Sequence, residues 1–279
     1  MDPAELRRTS LANWETMAAG WERRRAEIDD VTTPVREWLV EALDAKPGDT
    51  VLELAAGPGD TGFAVAARLG ESGKLISSDF SPAMGEVARR RSLELGLRNV
   101  EHRIVDAEHI ELEDASVDRV LCRFGYMLMP DPAAALAETR RVLRPGGRLA
   151  LAVWREAPRN PWVSIAGRIL VERGLVEPPE PGTPGMFTMA SDERMRELLE
   201  GAGFAVERLE DVPVLFRYRN VDDYVGSAVD TGGMFARVWG DASEEERQAI
   251  KTQLADAFEP FAVDGGFELP GVAFAVVAS

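Results

Sequence analysis

The sequence predicts an α/β protein: a mostly parallel, seven-stranded sheet with helices on both faces, plus a helical lid. Three observations predict it. Between residues 50 and 154, short apolar runs alternate with longer amphipathic segments, the pattern of strand–helix–strand units joined by right-handed crossovers. Proline–glycine turns, KPGD at 46–49 and RPGG at 144–147, punctuate that alternation. The first apolar run, VLELAAGPGDTG at 51–62, ends in a carboxylate and then three glycines, as a strand does where it passes into a helix through a tight loop.

Residues 10–30 read as a helix, with Leu11, Trp14, Met17 and Trp21 at helical spacing, and a second helix over 33–44 carries Val35, Trp38, Leu39 and Leu43. After KPGD come a buried strand at 50–54, a helix at 61–69 stopped by Gly70, and a strand at 74–78. Ser81-Pro82 opens the next helix, since Ser caps free N–H groups and Pro fits the first helical position; it ends at Gly96. Strands at 100–105 and 117–122, a helix at 133–143 and a strand at 148–154 after RPGG complete this half. Residues 156–190 are rich in Pro and Gly, with EPPEPGTPG at 177–185 irregular. A helix at 191–202, a strand at 205–215 and helices at 221–238 and 243–261 follow, the last opened by the capping box Ser243–Glu246. GVAFAVVAS closes the chain as an apolar strand. The expected division is a helical cap over 1–45, a sheet core over 46–155, and lid insertions with the last strands over 156–279.

The 279 residues carry a formal net charge of −16. That charge opposes phosphate neutralisation, so nucleic acid is not an expected partner, and anionic bilayers are disfavoured likewise. A single cysteine, Cys122, excludes an intramolecular disulfide and a cysteine-rich zinc site. No His- or Cys-rich pattern suggests a metal. The polar start, MDPAELRRTS, carries no apolar signal region, and no apolar run is long enough to span a bilayer. A cytoplasmic protein without stable membrane insertion is expected; nothing in the residues fixes an oligomeric state.

Gly57, Gly59 and Gly62 fit G-x-G-x-x-G, and Asp79 lies about 20 residues after Gly59, where a carboxylate can accept from ribose hydroxyls. A nicotinamide dinucleotide and S-adenosylmethionine both carry an adenosine ribose, so the loop and Asp79 alone leave both open. The surroundings separate them. Glu53-x-Ala55-x-Gly57-x-Gly59 resembles motif I of the class I S-adenosylmethionine-dependent methyltransferases, with Ala55 where the first glycine usually stands. SSDFSPAM at 77–84 resembles the ribose-binding motif and its helix. VDAEHIELEDASVDRVLCRF at 105–124 resembles the adenine loop and the fourth strand. LRPGGRLALAVW at 143–154 resembles the turn into the fifth strand, in the manner of the quinone-biosynthesis branch.

The resemblance, which covers about residues 10–155, implies a Rossmann-like core and S-adenosyl-L-methionine as cofactor. It makes Glu53 and Ala55 cofactor-binding members of motif I and passes Gly57 and Gly59 close to the methionine part of the cofactor. Asp79 falls at the ribose and Phe80 at the adenine, with Met84 nearby. Asp106, Ala107 and Glu108 fall at the adenine loop, and Arg123 faces cofactor and substrate. Trp21 matches an N-terminal aromatic that covers the site. The Ala55 methyl is tolerable there if its φ is negative.

Methyl transfer needs chiefly positioning, which lowers a barrier by roughly 7–11 kcal/mol, and a general base only where the acceptor must lose a proton. No catalytic residue is therefore named; His102 and His109 are the only histidines. Tyr126, Met127 and Trp154, beyond the fourth and fifth strands, are candidate acceptor-facing residues. The expected function is transfer of a methyl group to a small, partly apolar acceptor through carbon, oxygen or nitrogen. A non-catalytic S-adenosylmethionine-binding protein and an NAD(P)-dependent oxidoreductase are the rival readings. The second leaves Glu53, Asp106-Ala107 and RPGG unexplained, and no Tyr-x-x-x-Lys pair is present.

Overall fold

The structure is a computed structural model that describes residues 3–178 and 183–279. Four residues of the stretch expected to be irregular, 179–182, lie outside the described residues.

The strands β1 (Thr50–Leu54), β2 (Lys74–Asp79), β3 (Val100–Ile104), β4 (Val117–Arg123) and β5 (Leu143–Trp154) pair in parallel in the order β3-β2-β1-β4-β5. β6 (Val206–Tyr218) and β8 (Gly266–Ala278) extend the sheet, with β8 antiparallel between β5 and β6, and the two-residue β7 (Ala262–Val263) pairs with β8. The sheet is thus mostly parallel and Rossmann-like. Its central strands are buried on both faces, as Val51, Leu52, Val120, Leu121, Leu149 and Leu151 show at 0% exposure. The helices α2 (Asp60–Leu69), α3 (Pro82–Glu94) and α4 (Pro132–Val142) connect the parallel strands. Ser81 caps α3 through the Met84 N–H, with Pro82 in the first turn, as its sequence requires.

Four elements differ from the sequence expectation. Residues 10–30 and 33–44 are one 40-residue helix, α1 (Pro3–Ala42), that runs through Pro34. An interior proline costs about 3 kcal/mol. The helix continues because it is buried on both sides of it: Ala18 before it and Val35, Leu39 and Val40 after it are at most 4% exposed. β5 begins at Leu143, so RPGG is a bulge within the strand; pairing jumps from Val117↔Leu143 to Arg119↔Arg148. The Pro/Gly-rich stretch contains a full helix, α5 (Pro161–Glu172), whose apolar residues Ile169 and Leu170 are buried. The helix expected over 221–238 breaks at Gly232 into α7 (Val221–Thr231) and α8 (Gly233–Asp241).

α6 (Asp192–Gly201) and α9 (Glu244–Phe258) complete the α-helices among the described residues. α5, α7, α8 and α9 share a second apolar cluster with the ends of β6 and β8, built on Tyr224, Phe235, Leu254 and Phe258. α1 packs against α2, α3, α7 and β6, so it crosses the molecule above the first βα loops. Among the described residues no helix is long and apolar enough to cross a membrane.

Candidate functional site

The site is built at the carboxyl ends of β1, β2 and β4, where parallel strands leave backbone and side chains open to a ligand. The three loop glycines serve three different needs. Gly57 has φ +52° and no atom within 4 Å of the position a Cβ would take, so it faces open space. At Gly59 (φ +90°) a Cβ would overlap the Phe63 ring, and at Gly62 it would overlap Glu53 Oε2. Only the first is a cradle; the other two admit the side chains that shape the loop from below.

Ala55 has φ +52° and an exposed methyl. The negative φ on which tolerance of this alanine was premised is absent. The conformation costs about 1–2 kcal/mol. Gly125 makes room for it, since a Cβ at 125 would lie 2.7 Å from the Ala55 Cβ. Phe124, at the matching end of β4, also has a positive φ, +62°. Two strained non-glycine residues therefore sit side by side at the ends of the two central strands, the kind of placement that clusters at ligand sites.

Glu53 is 2% exposed. Its Oε1 accepts the Gly62 N–H at 2.8 Å, and Oε2 has no partner among the described residues. Burial pushes this carboxyl up to about 8, against the lowering effects of the Gly62 N–H and the Arg123 guanidinium. Glu53 thus braces the loop from beneath. Asp79 accepts from the Gly57 N–H through Oδ2 at 2.8 Å and from the Ser81 N–H through Oδ1 at 2.9 Å. Burial raises its pKa, and these backbone bonds oppose the rise. Each oxygen keeps a further lone pair. Phe80 follows, partly buried.

Asp106 Oδ1 accepts the Glu108 N–H at 2.9 Å, which closes the 106–109 turn. Arg7 of α1 reaches over this turn, 3.6 Å from Asp106 Oδ2 and ion-paired with Glu108, whose side chain is 4% exposed. Ala107 is buried. Arg123 donates to Thr32 Oγ1 of α1. Burial lowers its pKa, opposed by Asp60, Glu53 and Asp29.

Several sequence expectations are corrected. Tyr126 does not face an acceptor: it is fully buried, and its hydroxyl is bonded to Thr139 Oγ1 at 2.6 Å. The Met127 side chain is 2% exposed, and its carbonyl accepts from Gly185 N–H and Thr188 Oγ1, tethering the lid segment. Trp154 is 4% exposed, stacked on Phe124 at 4.2 Å and edge-on to Trp162 at 5.0 Å. Met84 is 1% exposed and belongs to the interior. The Trp21 indole N–H donates to Thr231 O of α7 at 3.1 Å. His102 is bonded to Ser92 through Nε2, edge-on to Phe63.

Sequence reasoning did not bring together the aromatic group at the carboxyl ends of β4 and β5, Phe124, Trp154, Trp162 and Phe216, whose last two rings stack at 4.1 Å. It also missed Glu15, which accepts from Ser81 Oγ and from the Ala83 N–H. No local signal joins residues so far apart.

A loop that exposes Ala55 and opens to space at Gly57, a carboxylate with spare lone pairs at the end of β2 and a second carboxylate turn at 106–108 fit an adenosine-bearing cofactor. Fold and site together define a Rossmann-like protein with its ligand loop after β1. The comparisons agree. Residues 45–165 match the family model of a methyltransferase domain. Over 182 residues the chain is 32% identical to the aklanonic acid methyltransferase of Streptomyces sp. strain C5, which covers 62% of this chain and 82% of that one. It is 34% identical over 163 residues to the demethylmenaquinone methyltransferase of Beutenbergia cavernae, 58% of this chain and 59% of that one. The chain spans about half the length of most of the curated relatives it matches. A SAM-dependent methyltransferase from Aquifex aeolicus shares the fold, with a TM-score of 0.52 at 23% identity over 76% of this chain and 93% of that one. The chain belongs to the S-adenosylmethionine-dependent methyltransferase family.

Proposed function

We propose that this protein transfers a methyl group to a small, partly apolar acceptor, with S-adenosylmethionine as donor. The observation that carries the reading is the Gly57–Asp79 pair: a loop that opens to space at Gly57 is locked to a carboxylate with lone pairs to spare. When bound, the donor would supply an activated methyl group for in-line displacement by the acceptor's nucleophilic atom, with S-adenosylhomocysteine as the leaving group.

The chain's own residues hold and orient. The backbone at Ala55–Gly57 carries the methionine part, and Asp79 takes the ribose hydroxyls. Asp106 and the Ala107 backbone take the adenine beside Phe80. Glu53 and Asp60 are positioning residues that fix the loop and the start of α2, with Asp60 held by Arg25 and Arg91. Positioning of this kind supplies most of what an in-line displacement needs, which accords with the lack of an evident base. The Cys122 thiol is fully buried and pushed up to about 12, so it is unreactive. A lone buried thiol suits a reducing compartment, and we place the protein in the cytoplasm.

The test is turnover. Labelled methyl donor is incubated with a panel of phenols, quinols and amines, and the product S-adenosylhomocysteine is measured. Acceptor-dependent release supports the reading; binding of donor with no release across carbon, oxygen and nitrogen acceptors contradicts it.

A further inference from the structure

β3 is the outer strand on one side of the sheet, and among the described residues it pairs with β2 alone. Its inner side is taken up by that ladder, where the Leu75 N–H donates to Asn99 O and the Val105 N–H to Asp79 O. A parallel ladder engages alternate residues, so Glu101 and Arg103 turn their backbone groups to β2. Val100, His102 and Ile104 turn theirs outward. An outer strand with a row of outward N–H and C=O groups is a template for one more strand.

By the alternation of a strand, the side chains of Val100, His102 and Ile104 share one sheet face and those of Glu101 and Arg103 the other. The first face is the one α3 covers, since Ser92 Oγ lies 2.9 Å from His102 Nε2. Arg91 and Leu95 turn toward α2, where they line a cavity with Phe63 and Ala64. Leu93 lies about 100° round the helix on the other side of Ser92, and so stands toward the outer edge. Leu93 and Ile104 are each 65% exposed, the most exposed large apolar side chains among the described residues. On the second face Glu101 is ion-paired with Lys74 and with Arg103.

We propose that β3 is a self-complementary interface through which two copies of this chain join their sheets, antiparallel and about a two-fold axis at His102. In that register Val100 stands opposite Ile104 of the second copy, and His102 opposite its own counterpart. These are the residues whose backbone groups face outward, so the two edges bond in phase. Glu101 then stands opposite Arg103 of the second copy, and Arg103 opposite its Glu101, in the non-hydrogen-bonded pairs where cross-strand side chains come closest. A shift by one ladder step in either direction sets Glu101 on Glu101 or Arg103 on Arg103, and like charges directly opposite are destabilising. Charges commonly blunt an outer strand; here their order matches a second copy in one register. The axis stands perpendicular to the sheet, so both α3 helices lie on one face of the pair. Ile104 of each copy comes to the Val100 end of the other, the end where α3 finishes at Glu94 and Leu93 is exposed. A two-fold contact of this kind closes on itself and gives a dimer rather than a fibre. The two ligand loops, at the carboxyl ends of oppositely directed strands, point to opposite ends of the joined sheet.

The experiment is sedimentation equilibrium of the full chain in low-salt buffer, where exposed charge pairs are least screened, at concentrations from about 1 to about 200 µM. The wild-type protein is expected to be a dimer that dissociates within this range. Glu101→Arg and Arg103→Glu are each measured alone and then as an equimolar mixture. Either variant alone sets two like-charge pairs where two opposite ones stood, and its dissociation constant is expected to rise at least about tenfold. In the mixture every such pair is opposite again, so a heterodimer of about wild-type affinity is expected; its formation also shows that both variants are folded. Ile104→Lys, at an exposed position, gives an independent reading and is expected to weaken the wild-type dimer about tenfold. A wild-type chain that stays monomeric at about 200 µM overturns the proposal. A dimer that none of the three variants weakens overturns it too, by placing the contact elsewhere. So do two charge variants that are folded by circular dichroism, monomeric alone, and still monomeric when mixed.

Discussion

The backbone N–H of Gly57 donates to Asp79 Oδ2 at 2.8 Å, joining the glycine loop to a carboxylate 22 residues further along the chain. Asp79 Oδ1 holds the Ser81 N–H at the start of α3. One carboxylate therefore fixes both walls of the cleft before any ligand arrives. Asp79→Ala leaves two N–H groups without their acceptor and removes the proposed ribose contact. The expected outcome is a loss of about 1–3 kcal/mol in stability and a drop of one to two orders of magnitude in S-adenosylhomocysteine affinity, roughly 1.5–3 kcal/mol. Denaturant unfolding and calorimetry check the two separately; unchanged affinity would remove Asp79 from the site.

The glycines make a contrast that can be measured. Gly62→Ala drives a methyl into Glu53 Oε2 in the interior, and overpacking of that kind costs about 1–3 kcal/mol. Its main effect should be on stability. Gly57→Ala meets no protein atom within 4 Å and pays only backbone strain at φ +52°, about 1–2 kcal/mol. Its main effect should be on cofactor affinity, because the methyl enters the cleft. Equal losses of affinity relative to stability in the two variants would contradict the separate roles.

Glu53 makes stability depend on pH. Its folded carboxyl is pushed up to about 8 by burial, from an ordinary 4.5. The folded state therefore holds the proton more tightly than the unfolded chain does. The stability this contributes is fully present below about pH 4.5 and is lost as pH rises through about 8. Glu53→Gln keeps an oxygen for the Gly62 N–H and has no proton to lose. Urea unfolding at a series of pH values should show a shallower decline in stability for Glu53→Gln between pH 5 and 8 than for the parent; parallel curves would mean that Glu53 does not titrate in this window.

Tyr126→Phe removes the hydroxyl bonded to Thr139 Oγ1 in the interior. A loss of about 1 kcal/mol in stability is expected, with S-adenosylhomocysteine affinity unchanged. A selective loss of affinity would return Tyr126 to the site.

Much of this architecture is legible in the residues. The parallel strands read correctly because a buried strand leaves a short, local apolar run, and the glycine loop because its spacing is local too. What escaped reading depends on distant partners. α1 crosses Pro34 because Val35, Leu39 and Val40 are buried against the rest of the chain, which no window around the proline reveals. Gly59 is expected at the cofactor with Gly57, whereas Gly59 and Gly62 answer to Phe63 and Glu53. Tyr126 and Met127 stand at the right distance after β4 for an acceptor, but a 3-10 turn over Tyr126–Leu128 directs both inward. Trp21 had helical spacing and an aromatic face; its direction depended on where α7 lies.

The most direct measurement is calorimetric titration of the purified protein with S-adenosylhomocysteine, with NAD and NADP in parallel. The account predicts binding of S-adenosylhomocysteine alone, weakened in Asp79→Ala. Binding of a nicotinamide cofactor with no response to S-adenosylhomocysteine would contradict it.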